Sequence, residues 1–274
     1  MSSAFTPQSR LTDVGKNILN KRYYGDGEHK WKHVADRVVN HVCKDWVDDR
    51  KNVMYNIIYN RYFIPNSPTL VNAGRNKHAG LSACFVLPFE DTIEEIYKTK
   101  LDFALVARKG GGCGTTLSNI RPRGSAVNGS THGFAGGGVA FANTISHDMN
   151  AITQSGFRSM AIMFTMSVRH PDIMEFITAK SEEGKISNAN ISVVVDDDFM
   201  RAVERDEKYF TEFEGEQWSE YSAREVFDMI VEGAWKNGEP GLLFEDRINN
   251  SPYRYAGVKI EATNPCGVKC SPQV

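Results

Sequence analysis

The chain has 274 residues, 41% hydrophobic and 24% charged, a composition that supports a large buried core and excludes a disordered segment. Its 32 basic and 34 acidic residues give a net charge of -2, which excludes a global positive field for a nucleic-acid backbone. Neither a leader-length apolar core nor a membrane-spanning apolar run is present, so a cytoplasmic protein is expected, with no nucleic-acid or membrane partner.

In chain order, Leu11, Val14 and Ile18, then Val34, Val38, Val42 and Trp46, recur every three or four positions, and this spacing predicts a mainly helical region over 1–75. Within it, Ile64 to Gly74 holds two prolines, two asparagines and a glycine, which predicts a structured loop in place of a continuous helix. Residues 76–274 read differently. The run from Cys84 to Pro88 predicts a buried strand, and Ile93, Ile96, Tyr97 and Leu101 resume helical spacing. Met160 to Val168 precedes a helical His170 to Lys180, and Ile191 to Val195 precedes a helical Asp198 to Arg205. Repeated strand-then-helix order predicts an α/β domain with a parallel or mixed sheet. Ala223 to Ala234 then forms an amphipathic helix that Gly238 and Pro240 stop, followed by the apolar Gly-Leu-Leu-Phe.

Cys43, Cys84, Cys113, Cys266 and Cys270 are odd in number and irregularly spaced, a pattern of catalytic or redox thiols more than of a disulfide framework. Cys266 and Cys270 have metal-like spacing, but two further ligands are missing and no metal is expected. The stretch RKGGGCGTT lacks both the P-loop ending and the dinucleotide-fold spacing. Alone it reads as a turn where two backbones pack closely.

The order of the segments says more. PNSPTLVNAG, LSACFVLPFED, KGGGCG, NIRPRGSAVNG, TQSGFR, HPDIMEFI and ATNPCG follow one another along the chain. That string resembles the catalytic subunit of ribonucleotide reductases, most closely the adenosylcobalamin-dependent class, and it covers nearly the whole chain. The resemblance implies an α/β fold in which the helical region precedes the first half of a ten-stranded α/β barrel. It implies reduction of ribonucleotides to 2'-deoxyribonucleotides by a cysteine thiyl radical, with adenosylcobalamin as radical source and a deoxynucleoside triphosphate as effector.

By the same resemblance, Cys266 carries the thiyl radical, Asn264 hydrogen-bonds the substrate hydroxyls, and Cys84 is one of two reducing thiols. Ser67, Ser82, Ala83 and Gly112 match substrate-binding positions. Asp91 matches a carboxylate that meets the effector sugar, Arg121 an arginine that grips phosphate, and Arg158 a residue on the loop joining effector and substrate sites. The implied partners are the ribonucleotide, a second copy in a homodimer, a complementary C-terminal chain and a thiol reductant such as thioredoxin.

Departures from the family pattern are equally plain. Ser155 and Met160 stand where glycines are usual, which predicts a stiffer loop. Val268 follows NPCG where the family has a glutamate acting as general base, and loss of such a base lowers rate by about 10²- to 10⁴-fold. Glu261 is the nearest carboxylate in sequence, and Cys270 lies too close to Cys266 to replace a distant thiol. Two alternatives stay open at this point: an iron-dependent relative with a separate radical-generating subunit, and a non-catalytic fragment that binds the effector or dimerises.

Overall fold

The computed structural model describes residues 11–75, 80–127, 133–152, 160–181, 184–267 and 270–271. The chain divides into two compact units, 1–83 and 84–274. Among the described residues no helix is long and apolar enough to cross a membrane.

The first unit is helical: α1 (Asp13–Arg22), α2 (Trp31–Val42), α3 (Asp48–Tyr59) and α4 (Ser67–Asn72). Its core forms around one face of α2, where Trp31, Val34, Ala35, Val38 and Val39 pack with Leu19, Ile58, Leu70 and Ala73. The Trp31 indole N–H reaches the carbonyls of Ile58 and Tyr59 at 3.2 and 3.1 Å, so the ring is buried without an orphaned donor. Val14, Ile18 and Val42 lie in these helices but are exposed, and Trp46, also exposed, lies outside them. One expectation needs correction. The stretch around Pro65 and Pro68 contains α4: the Asn66 side chain accepts from the Thr69 N–H at 3.1 Å, and Pro68 sits in the first turn, where no helix hydrogen bond is forfeited.

In the second unit the strands and helices alternate: β1 (Cys84–Val86), α5 (Ile93–Arg108), β2 (Gly112–Thr116), α6 (Gly138–Ala151), β3 (Ile162–Ser167), α7 (Ile173–Thr178), β4 (Ala189–Val195) and α8 (Asp197–Arg205). The hairpin β5 (Lys208–Phe213) and β6 (Glu216–Ser222) follows, then α9 (Ala223–Asn237), β7 (Gly241–Phe244) and α10 (Glu245–Asn249). A 3-10 turn over Pro252–Ala256 leads to the short hairpin β8 (Ala262–Thr263) and β9 (Cys270–Ser271). Strands β1, β2, β3, β4 and β7 form one sheet in that order, every pair parallel.

The sheet's two faces differ because side chains alternate along each strand. One row contains Cys113, Ile162, Phe164, Met166, Ile191, Val193 and Val195, all buried in a core with Phe103, Ala142, Ile145, Phe176, Phe199 and Val226 from the helices. The opposite row carries Cys84, Gly112, Gly114, Thr116, Thr165, Ser167, Asn190 and Ser192, with Val86, Met163 and Val194 among them in matched register. Around Gly112 it is mostly small and polar. The apolar face supplies the stability, since burial is worth about 25 cal/mol per Å² of apolar surface, and the polar face is left for chemistry.

Candidate active site on the polar face of the sheet

The segment returning from α10 is fixed before it reaches the sheet. Asn249 clamps Ile260 from both sides, donating to its carbonyl at 3.0 Å and accepting from its N–H at 2.7 Å. Lys259 pairs with Glu245 at 2.8 Å. Beyond Ile260 the chain lies across the polar row, and glycines in β2 make room for it. A Cβ at Gly114 would overlap the Thr263 carbonyl, and one at Gly112 would stand 2.9 Å from the Pro265 ring and 2.8 Å from the Ala161 carbonyl. Only a residue without a side chain fits either place.

The turn itself is closed by the Gly267 N–H bonding to the Asn264 carbonyl at 2.9 Å, with Gly267 at φ 69°. Asn190 donates its side-chain N–H to the Pro265 carbonyl at 2.9 Å. Thr263, Asn264 and Pro265 are buried, whereas Cys266 is exposed at the turn. Cys84 pairs in register with Gly112, the same glycine over which Pro265 sits. The structure therefore brings Cys266, Asn264, Cys84 and Gly112 to one end of the polar face.

The remaining described cysteines have different surroundings. Burial, with a smaller contribution from the neighbouring Cys84, pushes the Cys113 thiol up to about 12, so it stays protonated and inert. Cys43 is also buried, with its thiol likewise raised by burial. Cys84 is half-buried.

Glu261 runs along the same face but away from the thiols. Pro265 lies over Gly112 and Thr263 over Gly114, so the segment is antiparallel to β2, and Glu261 lines a cavity of about 110 Å³ with Thr116, Ser118 and Ser167. Four strand residues separate that end from Gly112, roughly 13 Å at the usual rise. Glu261 is too far along the strand to replace the missing glutamate at Cys266.

Ser67, Ser82 and Ala83 belong to the first unit. Ser67 opens α4, and its hydroxyl lies 2.8 Å from the Tyr23 hydroxyl; Ser82 is exposed and Ala83 half-buried. Asp91 and Arg121, 30 residues apart, meet beyond the ends of β1 and β2: the guanidinium donates to the carboxylate at 2.6 Å and to the Asp91 carbonyl at 3.3 Å. Arg158, Ser155 and Val268 lie outside the described residues.

Sequence reasoning missed a second hollow of about 460 Å³, lined by Ser118, Asn119, Ser167, Arg169, His170 and the β5–β6 hairpin. Arg169 and His170 in it are already engaged. Arg169 holds Asp196 through two bonds, at 2.7 and 3.1 Å. His170 is 2% exposed, and burial lowers its pKa. The neutral ring donates from Nε2 to the Ile120 carbonyl at 2.9 Å and accepts from the Asp172 N–H at Nδ1, at 3.1 Å.

Residues 82–271 match the family model described as "Ribonucleotide reductase, barrel domain", and residues 9–78 match "Ribonucleotide reductase, all-alpha domain". A vitamin B12-dependent ribonucleoside-diphosphate reductase from Thermoplasma acidophilum is 44% identical over 211 residues, covering 75% of this chain and 27% of that protein. One from Mycobacterium tuberculosis is 40% identical over 214 residues, covering 77% of this chain and 31% of the relative. In fold, the chain is similar to the solved alpha subunit of a class Id ribonucleotide reductase from Actinobacillus ureae, with a TM-score of 0.79 and 20% identity over 96% of this chain and 46% of that one. The chain thus spans about three tenths of the length of these two curated relatives and under half of the solved subunit.

Proposed function

Since the chain belongs to the ribonucleotide reductase large-subunit family, we propose that it forms part of an enzyme that reduces ribonucleotides to 2'-deoxyribonucleotides through a thiyl radical at Cys266. The observation that carries the reading is the turn bearing Cys266, whose Pro265 and Thr263 lie over Gly112 and Gly114 on the face of the sheet that also bears Cys84. Radical chemistry is required because nothing next to the ribose 2'-carbon supports departure of hydroxide by acid–base means alone.

In this reading the Cys266 thiyl takes the hydrogen from C3', and Asn264 holds the substrate hydroxyls. The 2'-hydroxyl then leaves as water, and Cys84 with a second thiol supplies two electrons and becomes a disulfide. Return of the hydrogen from Cys266 to C3' restores the thiyl. The balance is ribonucleotide plus dithiol giving deoxyribonucleotide, disulfide and water. Gly112, having no side chain, lets the nucleotide approach the backbone closely.

Adenosylcobalamin, when bound, supplies the one-electron oxidising equivalent that converts a thiol to a thiyl. The exposure of Cys266 on its turn, with Asn190 also exposed on the same face, fits an approach by so bulky a group, and these two side chains would meet it. Asp91, Arg121 and Arg158 form the effector site for a deoxynucleoside triphosphate. Pairing with a second copy is supported by Ile93, Tyr97, Leu101 and Leu105, an exposed stripe spaced every four residues along α5. Residues 76–274 give the first half of the barrel, and the rest of the barrel carries the second thiol. A thiol reductant of the thioredoxin kind restores the dithiol, and free functional thiols suit the reducing cytoplasm.

The test is reconstitution with the barrel completed by its C-terminal part, adenosylcobalamin, a dithiol and a ribonucleoside di- or triphosphate. Deoxyribonucleotide should form and should vanish in Cys266→Ser. Val268→Glu should raise turnover by about 10²- to 10⁴-fold, by restoring a general base. Val268 itself favours a second reading, a non-catalytic fragment that binds the effector or dimerises. Effector binding with no product from either the parent or Val268→Glu would select it.

A further inference from the structure

The phrase His-Pro-Asp-Ile-Met-Glu enters the chemistry above nowhere, yet the structure ties it closely to the loop that carries Arg121. We propose that His170, Asp172 and Glu175 form a latch that positions Arg121 for the phosphates of a deoxynucleoside triphosphate; this rests on the effector-site reading above.

Three ties reach one short loop. The Ile120 carbonyl accepts from His170 Nε2 at 2.9 Å. The Arg123 N–H donates to both oxygens of Asp172, at 3.0 and 3.1 Å, and the Arg123 guanidinium pairs with Glu175 at 2.8 Å. The latch is braced from within, because the Asp172 N–H donates to His170 Nδ1 at 3.1 Å. Residues on either side of Arg121 are therefore pinned. Arg121 is directed at Asp91 instead, with its outer edge half-exposed.

Packing around the latch points the same way. Gly137, at φ 78°, leads into α6, and a Cβ there would stand 2.5 Å from Asp172 Oδ2 and 3.1 Å from the Arg123 nitrogen. The backbone before α6 is thus drawn against the carboxylate, and Asp172 is buried at 9% exposure. A buried carboxylate receiving a backbone N–H makes a strong, charge-assisted tie. Its amide counterpart would present one oxygen and one N–H to the same donor and lose part of the hold.

Calorimetric titration of the chain with each deoxynucleoside triphosphate and its monophosphate tests the latch. The parent should prefer triphosphate to monophosphate, and Arg121→Ala should abolish that preference. Asp172→Asn should reduce the preference roughly ten-fold while leaving monophosphate affinity unchanged, and should add nothing in the Arg121→Ala background. Glu175→Gln, at the more exposed tie, should reduce it about two- to three-fold, and it carries the test if Asp172→Asn does not fold. Equal weakening of both ligands, or an unchanged preference in both latch variants beside a collapse in Arg121→Ala, overturns the latch and leaves the effector site standing. Failure of the parent to bind any triphosphate overturns both.

Discussion

At Gly114 a single methyl group separates a seated turn from a displaced one. Its Cβ would overlap the Thr263 carbonyl, and because that carbonyl is main chain it cannot rotate away. Gly114→Ala should destabilise the second unit by about 1–3 kcal/mol, the usual range for overpacking, and should change the alkylation rate of Cys266. Thermal melts and mass mapping of labelled cysteines check this; an unchanged Cys266 rate would mean that the glycine does not set the turn. In the first unit, Glu28 makes a separate claim. Burial alone would raise its pKa, but bonds from Arg37, the Gly25 N–H and Arg75 outweigh that and hold the carboxyl at about 2, against an ordinary 4.5. A depressed folded pKa gives stability that is complete above pH 4.5 and lost as pH falls towards 2. The loss should be on the order of 3 kcal/mol at most. Glu28→Gln should flatten the melting profile of the helical unit across that window, and an unchanged acid slope would contradict the assignment.

Among the elements, strands β1, β3 and β4 were legible in the sequence as short apolar runs followed by 3.6-residue periodicity, whereas β2, Gly-Cys-Gly-Thr-Thr, read as a turn because it carries no apolar run. The hairpin β5–β6 was not anticipated, although Tyr209 and Thr211 are buried while Phe210 and Glu212 are exposed, the alternation of a half-buried strand. Glu214 and Gly215, both at positive φ, make the two-residue turn that such hairpins favour. On α5 the uncovered face yields a prediction: Leu101→Glu, at a position 58% exposed, should leave the fold intact and shift a dimer to monomer in sedimentation. Persistence of the dimer would remove the support that this stripe gives to self-association.

For the molecule as a whole, the site was legible as a set of residues but not as a place. Cys84, Gly112, Asn264 and Cys266 span more than 180 positions, and no local pattern states that β1, β2 and the β8–β9 turn converge. Family resemblance named them, and the register of Cys84 with Gly112 and the seat of Pro265 on that glycine bring them together. The polar character of much of the shared face was hidden for a physical reason: glycine, threonine, serine and asparagine make up most of it, and in sequence they resemble loop punctuation. The convergence can be read directly on this chain with a short bifunctional thiol alkylator followed by peptide mapping. The account predicts an intramolecular bridge between Cys84 and Cys266, with Cys43 and Cys113 unmodified in the folded protein; separate single modification of Cys84 and Cys266, with no bridge between them, would contradict it.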